Sequence, residues 1–350
     1  MRHIAIIGAG ITGLVLALEL QRQGDCQVTV FEKSRGLGGR LSTRRADSHS
    51  FDHGAPFFTA RSPAFKQFLS PYIADGTIAD WQPRVLTLAP GVQPSGRPWF
   101  EPHYVGVPQM NSLCKVLAQD LVVHTGVTVT GITGQPGRWL LQTELPERFL
   151  GTEERFGPFH WVVTAVPAAQ AGQLLPSLVT PDVLAQVAFE PCFSLQLPYS
   201  AVGQLAAGKR HDGRLPFDAA VVQHSPLAWL GFNQRKPGRG PAGSLVAQST
   251  GEWALQHLAT PLPEVQQLLL TALVQLMGPQ ALAGLDAEAV SLHRWRYARA
   301  IKPLPQACLA DAAAGLGACG DWCSSRDVEG RGVEGGYRSG VAMATLMATR

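Results

Sequence analysis

The start of the chain alternates short apolar runs with a segment of helical periodicity. Residues 4–7 and 28–31 are apolar runs, and residues 14–22 between them repeat apolar positions at the spacing of a helix. Continuous apolar runs of this length are typical of strands buried on both faces of a parallel sheet. The pattern therefore predicts a strand, a crossover helix and a second strand parallel to the first.

The rest of the chain predicts two domains. Helices are predicted at 63–69, 110–118, 263–277 and from about Gly336, and strands at 127–132, 139–143, 161–167, 193–197, 245–249 and 318–322. The proline, glycine and aromatic residues of 81–107 are typical of hairpins and loops. We predict an α/β fold with a discontinuous Rossmann-like domain of residues 1–75, 105–168 and 300–350, and an inserted mixed-sheet α+β domain of residues 76–104 and 169–299.

Composition and charge argue against a nucleic-acid-binding protein and against a membrane-anchored one. A chain of 350 residues with 45% hydrophobic and 16% charged residues is typical of a folded protein with a large core. The net charge of +3 is small and the arginines are scattered, so nucleic acid is not expected as a partner. The apolar stretch 4–20 is interrupted by glycines and ends in charge, which argues against a signal peptide or membrane anchor. We expect a cytoplasmic protein with no membrane partner.

The six cysteines are irregularly spaced, which fits reduced thiols better than a disulfide framework. Cys319 and Cys323 are the only close pair, and a CxxxC without a second cluster is a poor zinc signal. No metal site is predicted.

The glycines after the first predicted strand form a GxGxxG pattern. Gly8 suits the tight turn, Gly10 lets the backbone approach a pyrophosphate, and Gly13 allows close packing of helix on strand. Glu32, at the end of the second strand, is placed to accept hydrogen bonds from a ribose. The pattern predicts dinucleotide contacts from this loop and the second strand end, made by Gly8, Gly10, Ile11, Thr12, Gly13, Glu32 and Lys33.

Two further segments would not be needed to bind a nicotinamide dinucleotide, and they suggest a different cofactor. Gly38 and Gly39 allow the main chain to pass close to a cofactor, and the guanidinium of Arg40 can bond a phosphate. Near the C-terminus, Asp321 at a strand end can hold a ribityl hydroxyl, and the following helix can direct its N-terminus at a flavin.

Together these segments resemble the FAD-dependent amine-oxidase-like superfamily, and within it the renalases, those of bacteria more than that of animals. The resemblance extends over nearly the whole chain and is carried by residues 31–36, 58–61, 105–110, 225–230, 236–239, 293–299 and 320–323. It implies an amine-oxidase-like or PHBH-like fold, in which the discontinuous domain binds FAD without a covalent bond and the inserted domain binds substrate.

The implied reaction is the oxidation of 2- and 6-dihydropyridine isomers of NAD(P)H to NAD(P)+, with oxygen reduced to hydrogen peroxide. Loss of a hydride from such a ring gives an aromatic pyridinium directly. The protein therefore needs no catalytic base, and its task is to bind, orient and exclude water. No catalytic side chain is predicted.

The resemblance also implies site residues. Besides those of the first glycine loop, the cofactor is expected to contact Gly38, Gly39, Arg40, Pro56, Phe57, Val129, Asp321 and Val333. The segment after Asp52-His53-Gly54-Ala55 is expected beside the isoalloxazine, so that aromatic rings stack on the substrate and an arginine pairs with its phosphate or carboxamide. The predicted substrate residues are Phe57, Phe58, Thr59, Ala60, Arg61, His103, Trp295 and Tyr297.

Two alternatives stay open. An amine oxidase or another FAD-dependent dehydrogenase is the first. Gly332 stands where many amine oxidases have a cage aromatic, and Trp322 or Tyr337 near the flavin would be the alternative source of that ring. A flavin-binding sensor without turnover is the second. Several positions depart from the renalase pattern and place substrate identity in question more than FAD binding: Pro56, Gln109, His224 and the charged segment 324–332.

Overall fold

The computed structural model describes residues 1–144, 155–199, 217–278, 289–323 and 331–349. The helices are α1 (Ile11–Gln23), α2 (Pro63–Ala74), α3 (Ser112–Leu117), α4 (Ala168–Leu174), α5 (Pro181–Gln186), α6 (Gly251–Gln256), α7 (Leu262–Met277) and α8 (Val333–Ala348). The strands are β1 (Arg2–Ile7), β2 (Cys26–Glu32), β3 (Arg44–Ala46), β4 (His49–Phe51), β5 (Ile78–Asp80), β6 (Val85–Ala89), β7 (Val92–Arg97), β8 (Tyr104–Gly106), β9 (Val122–Thr125), β10 (Thr128–Gln135), β11 (Arg138–Glu144), β12 (Arg155–Phe159), β13 (Trp161–Thr164), β14 (Ala188–Tyr199), β15 (Ala219–Val222), β16 (Leu227–Phe232), β17 (Gly243–Ser249), β18 (Ser291–Lys302), β19 (Leu309–Asp311) and β20 (Leu316–Ala318).

A six-stranded sheet of order β19-β20-β13-β1-β2-β9 forms the centre of the first domain. Strand β1 pairs in parallel with β2 and with β13, and β20 and β9 extend the parallel part on either side. Residues 4–7 and 161–164 are buried at every position, as expected for strands covered on both faces. A three-stranded sheet of β10, β11 and β12 adjoins this domain.

The second domain is built on a seven-stranded sheet of order β18-β14-β17-β16-β15-β6-β7. Leu195, Ala247 and Leu230 lie opposite one another on one face and share a core with α7. The other face turns toward the first domain, and its middle row joins Trp229, Gln248, Ser194 and His293 as cross-strand partners. This inner face is where the two domains enclose the candidate site.

The predicted α/β fold, with its Rossmann-like domain and separate mixed sheet, is confirmed. Helix ends differ from the prediction: α1 begins at Ile11 rather than at residue 14, and α8 begins at Val333 rather than near Gly336. Both early turns are rich in small residues, which hides helical periodicity from a sequence pattern. No helix in the described part of the chain is long and apolar enough to cross a membrane.

The predicted domain boundaries stay predictions, and two of them fall inside strands. β8 spans the boundary between residues 104 and 105, where it pairs with β5, and β18 continues past residue 299 to Lys302. The charged segment that departs from the renalase pattern lies, at residues 324–330, outside the described residues.

Candidate functional site

The first glycine loop has one backbone contact that only glycine permits. A Cβ on Gly13 would lie 2.0 Å from the carbonyl oxygen of Gly8, and Gly8 itself has a φ of +110°. Gly10 differs, because a Cβ there would meet nothing within 4 Å. Gly8 and Gly13 are therefore required by the turn and its packing. Gly10 borders open space, as a backbone that faces a ligand would.

Glu32 joins this loop to the end of β2. Its carboxylate is buried and accepts hydrogen bonds from the backbone N–H of Ala9, at 2.9 Å, and of Ser34, at 2.8 Å. A carboxylate has about four lone-pair positions, so the two amides leave acceptor capacity for ribose hydroxyls. Lys33, the predicted neighbour of this site, is exposed.

The second glycine loop lies directly against the first. The N–H of Gly38 donates to the carbonyl of Ala9 at 3.0 Å, and a Cβ on Gly39 would lie 3.5 Å from the Cα of Gly10. Two stretches of nearly bare backbone thus form one continuous cradle. The donor set suits an extended dinucleotide, because main-chain N–H groups bind phosphate oxygens without a side chain between them.

Arg40 and Asp321 bind each other. The two guanidinium nitrogens lie 2.7 Å and 2.7 Å from the two carboxylate oxygens, and the Asp321 carboxylate is buried. This bidentate geometry is the strong form of an ion pair. The phosphate role predicted for Arg40 and the ribityl role predicted for Asp321 stay predictions, and each would have to share its partner with the cofactor.

Helix α8 closes the other end of the cradle. A Cβ on Gly336 would lie 2.8 Å from the hydroxyl of Thr12, so α8 packs tightly on the first turn of α1. Glu334 is buried, and its carboxylate accepts from the backbone N–H of Arg61 at 2.8 Å and of Ser62 at 2.9 Å. Glu334 thereby fixes the predicted substrate segment to the start of α8.

Replacement of Glu334 tests this connection. Glu334→Ala leaves two amides without their acceptor, so we expect the free energy of unfolding to fall by about 1–3 kcal/mol in urea titrations. Glu264→Ala, an exposed carboxylate in the first turn of α7, is the matched control and is expected to change it by no more than about 0.5 kcal/mol. Equal losses in both variants would contradict the role of Glu334.

Four aromatic side chains from both domains form a cluster, called here the aromatic box: Phe57, Trp99, His103 and Trp229. The ring centroids of Trp99 and His103 are 3.8 Å apart and those of Phe57 and His103 are 4.3 Å apart. Trp229 lies 5.4 Å from Phe57 and 6.2 Å from Trp99. The box brings the predicted residues Phe57 and His103 together with two residues that the sequence analysis did not assign to the site.

The walls of the box are neutral. Burial lowers the pKa of His103 below its ordinary value, and the Nδ1 of His103 donates to the carbonyl of Glu101 at 2.6 Å. This hydrogen bond fixes the tautomer, so the Nε2 of His103 is an acceptor. The box therefore presents aromatic surfaces without a formal charge.

Other predicted substrate residues lie elsewhere. Phe58 was predicted to stack on a ligand, but its ring is buried in the core against Phe65 and Tyr104, and Ala60 is buried as well. The cause is the backbone pairing of Phe58 with Tyr104, which points alternate side chains to opposite sides. Thr59 is half-buried in this segment.

Arg61 was predicted to meet the substrate, and in the structure its guanidinium binds the carboxylate of Glu101, with nitrogen–oxygen distances of 3.0 Å and 3.2 Å. Trp295 and Tyr297 were predicted to share a face. Trp295 turns toward the first domain, where its indole N–H donates to the carbonyl of His53 at 2.8 Å, whereas the ring of Tyr297 packs against Phe189.

His53 and His293 adjoin Trp295. The two imidazole centroids are 5.0 Å apart, and that of His293 is 4.3 Å from Trp295. Burial, followed by the charge of His293, lowers the pKa of His53 to about 4. Burial also lowers the pKa of His293. Both imidazoles are therefore neutral near pH 7.

Beneath this segment a buried ion cluster joins the domains. The carboxylate of Asp52 lies 2.9 Å from the Nζ of Lys236 and 2.6 Å from a guanidinium nitrogen of Arg239, and accepts a third bond from the hydroxyl of Thr43 at 2.6 Å. All three charged side chains are at most 3% exposed. The cluster connects the start of the segment Asp52-His53-Gly54-Ala55 with residues 236–239, which carried part of the resemblance.

The remaining predicted cofactor residues lie in three different elements, and their cofactor contacts stay predictions. Pro56 is half-buried, Val129 is buried in a core cluster with Phe31, and Val333 is the first residue of α8. Trp322 and Tyr337 are packed in the protein and not on the box, since Trp322 is buried with its N–H on the carbonyl of Val166 and Tyr337 packs on Phe65 and Phe68. No metal-binding group of three or more His, Cys, Asp or Glu occurs within the described ranges.

Residues 6–72 match the model of an NAD(P)-binding Rossmann-like domain. Over 51 residues the chain is 49% identical to the 4,4'-diapophytoene desaturase of Staphylococcus haemolyticus strain JCSC1435 and 47% identical to that of Staphylococcus aureus strain Newman. The match covers 15% of this chain and 10% of those enzymes, so the chain spans about a tenth of the length of the curated relatives that it matches.

Solved structures are similar over the whole chain. A putative protoporphyrinogen oxidase from Exiguobacterium sp. 255-15 superposes with a TM-score of 0.71 at 13% identity, covering 99% of both chains. The chain has the amine-oxidase fold. Putrescine oxidase bound to putrescine superposes with a TM-score of 0.68 at 13% identity over 100% of this chain and 99% of that one. Cyclohexylamine oxidase from Brevibacterium oxydans IH-35A gives 0.67 at 15% identity over 99% of both chains. In this chain the amine-oxidase fold places the aromatic box between the Rossmann-like domain and the inner face of the mixed sheet.

Proposed function

We propose that this protein is an FAD-dependent oxidoreductase whose substrates are the 2- and 6-dihydropyridine isomers of NAD(P)H. The single observation that carries the proposal is the neutral aromatic box at the end of a dinucleotide cradle. The cradle is longer than the first glycine loop alone, because Gly38 and Gly39 lie against Gly10 and the start of α8 packs on the first turn of α1. Such a length suits FAD better than a nicotinamide cofactor.

The box suits a ring that becomes a cation as it reacts. When bound, FAD supplies the acceptor for a hydride equivalent. The faces of Phe57 and Trp229 attract a positively charged ring, and neutral His103 does not oppose it. Oxidation of a dihydropyridine creates this charge without loss of a proton, so the side chains need only orient the ring and exclude water. Oxygen, reduced to hydrogen peroxide, is the proposed final acceptor.

Amine oxidation is the second candidate. Putrescine oxidase and cyclohexylamine oxidase share the fold, and an aromatic box also suits an ammonium group. Gly332, which precedes α8, supplies no ring at the position of an aromatic cage residue, and a Cβ there would meet no atom of the described residues within 4 Å. This observation favours the larger planar substrate.

Anaerobic mixing of the FAD-loaded protein with the dihydro-NAD(P) isomers and with a panel of amines tests the proposal. We expect rapid bleaching of the flavin by at least one isomer and none by amines, with formation of NAD(P)+. Bleaching by an amine alone would replace the proposal with amine oxidation. Bleaching by neither class would contradict both and favour a flavin-binding sensor.

A further inference from the structure

A short segment covers the aromatic box from the solvent side. Residues 98–102, called here the strap, connect β7 to β8. Trp99 points into the box, Phe100 is 91% exposed, and Glu101 reaches across to Arg61. The strap makes no backbone–backbone hydrogen bond to another described residue, and the carbonyl of Glu101 accepts from the side chain of His103, so contacts of side chains hold it in place.

The contact between Arg61 and Glu101 is weak. The side chains are 49% and 38% exposed, and an exposed ion pair of this kind contributes little because water screens it and two long side chains must be ordered. A guanidinium fork binds phosphate with the same bidentate geometry as carboxylate. An anionic ligand can therefore compete with Glu101 for the same two N–H groups.

The closed position also has an unsatisfied donor. The Nε1 of Trp99 is buried and has no acceptor within the described ranges. A buried N–H without an acceptor destabilises the arrangement that buries it. Opening of the strap would return this N–H to water. The unsatisfied N–H of Trp99 therefore destabilises the closed position relative to the open one.

We propose that the strap is a movable cover of the aromatic box and that Glu101 holds it closed by occupying Arg61 until a phosphate of the substrate replaces the carboxylate. The inference rests on the proposed function, because the dihydro-NAD(P) isomers carry both the ring for the box and the phosphates for Arg61. The charge of Lys66 also acts on Glu101, more weakly than that of Arg61.

The two partners of the ion pair give opposite results if Arg61 binds phosphate. With a phosphorylated dihydropyridine, Glu101→Gln removes the competitor and should lower the half-saturating concentration about 2- to 5-fold. Arg61→Gln removes the phosphate ligand and should raise it about 10- to 100-fold. With an N-methyl dihydronicotinamide, which has no phosphate, both variants open the strap and should behave alike. Glu190→Gln, which breaks an exposed pair with Arg299, is the matched control and should leave both substrates unaffected.

Binding of pyrophosphate to the FAD-loaded protein separates this inference from the proposed function. Tryptophan fluorescence should change when pyrophosphate is added, and this change should disappear in Trp99→Phe. Arg61→Gln should weaken the binding of pyrophosphate. If the isomers fail to bleach the flavin while this pattern holds, the proposed substrate is wrong and the strap account stands. If both variants shift the phosphorylated substrate in the same direction, or pyrophosphate binds Arg61→Gln as tightly as the wild type, the strap account is wrong.

Discussion

Gly10→Ala is expected to weaken FAD binding on the order of 10- to 100-fold while the apoprotein stays folded. The backbone of Gly10 is in an ordinary extended conformation, and an added methyl group meets nothing within 4 Å of protein. That methyl group would fill the space through which a pyrophosphate approaches the main chain. The apoprotein should lose no more than about 1 kcal/mol, since Gly10 is also the N-cap of α1, where alanine is less favourable.

Gly13→Ala is the matched variant with the opposite expectation. Its methyl group would lie 2.0 Å from the carbonyl oxygen of Gly8, which is backbone and cannot turn aside. We expect a loss of about 1–3 kcal/mol in the free energy of unfolding of the apoprotein, through overpacking of helix against strand. Chemical unfolding of the apoproteins and titration with FAD measure both effects. A Gly10→Ala variant that binds FAD like the wild type would contradict the assignment of the cradle.

Asp52→Asn is expected to destabilise the protein by about 3–5 kcal/mol, because it leaves Lys236 and Arg239 buried without a counter-charge. Lys236→Met should cost less, since one carboxylate and one guanidinium then stay paired. Glu190→Gln, at an exposed pair, should cost at most about 1 kcal/mol. Urea unfolding of the three variants gives the comparison, and a loss in Asp52→Asn no larger than in Glu190→Gln would contradict the account of the cluster.

The contribution of Asp52 should also follow pH in a defined direction. Burial alone would raise the pKa of Asp52, but the charges of Lys236 and Arg239 and the bonds from Arg239 and Thr43 outweigh it and hold the pKa well below its usual range. A carboxyl group that is more acidic in the folded state stabilises the protein above its unfolded pKa of about 3.9 and loses that effect as the pH falls through the folded value. The difference between wild type and Asp52→Asn should therefore be constant from pH 8 to pH 5 and shrink only in stronger acid.

The cradle could be predicted because its signals are local. The tight turn, the close helix and the acidic strand end follow one another within the first βαβ unit, and each depends on residue types that few other structures require. Gly38 and Gly39 could be predicted for a similar reason, because two adjacent residues without side chains indicate a close approach of the backbone. The structure brings Gly38 and Gly39 against the first glycine loop, and the dinucleotide contacts of these residues stay predictions, as do the roles of Arg40 and Asp321, whose side chains bind each other.

The aromatic box could be predicted only in part because its walls come from distant elements. Phe57 and His103 were singled out, but Trp99 lies in a loop and Trp229 in an apolar strand, and neither has a pattern of its own. Trp229 reaches the box because its strand register sets it on the inner face of the sheet, and register is a property of the assembled sheet. The burial of the Phe58 ring has the same cause, since the pairing with Tyr104 decides which of two adjacent rings is buried, and the substrate contact of Phe58 stays a prediction.

The ion pairs could not be predicted because their partners are far apart in the sequence. Arg61 and Glu101 are forty positions apart, and Asp52 and Arg239 are nearly two hundred apart. Residues 52–55 and 236–239 were named separately in the sequence analysis, with no indication that they are in contact. Only the packing of the inserted domain on the first brings the three charges together, and it does so beneath the segment that enters the box.

Identification of the dinucleotide released from the purified protein tests the central claim most directly. The protein is expressed, desalted and denatured, and the supernatant is analysed by absorbance and chromatography. The account predicts a yellow protein that releases about one intact FAD per chain, as expected for a cofactor held by one site without a covalent bond. A colourless protein that binds NAD(P) in the cradle and does not take up added FAD would contradict it.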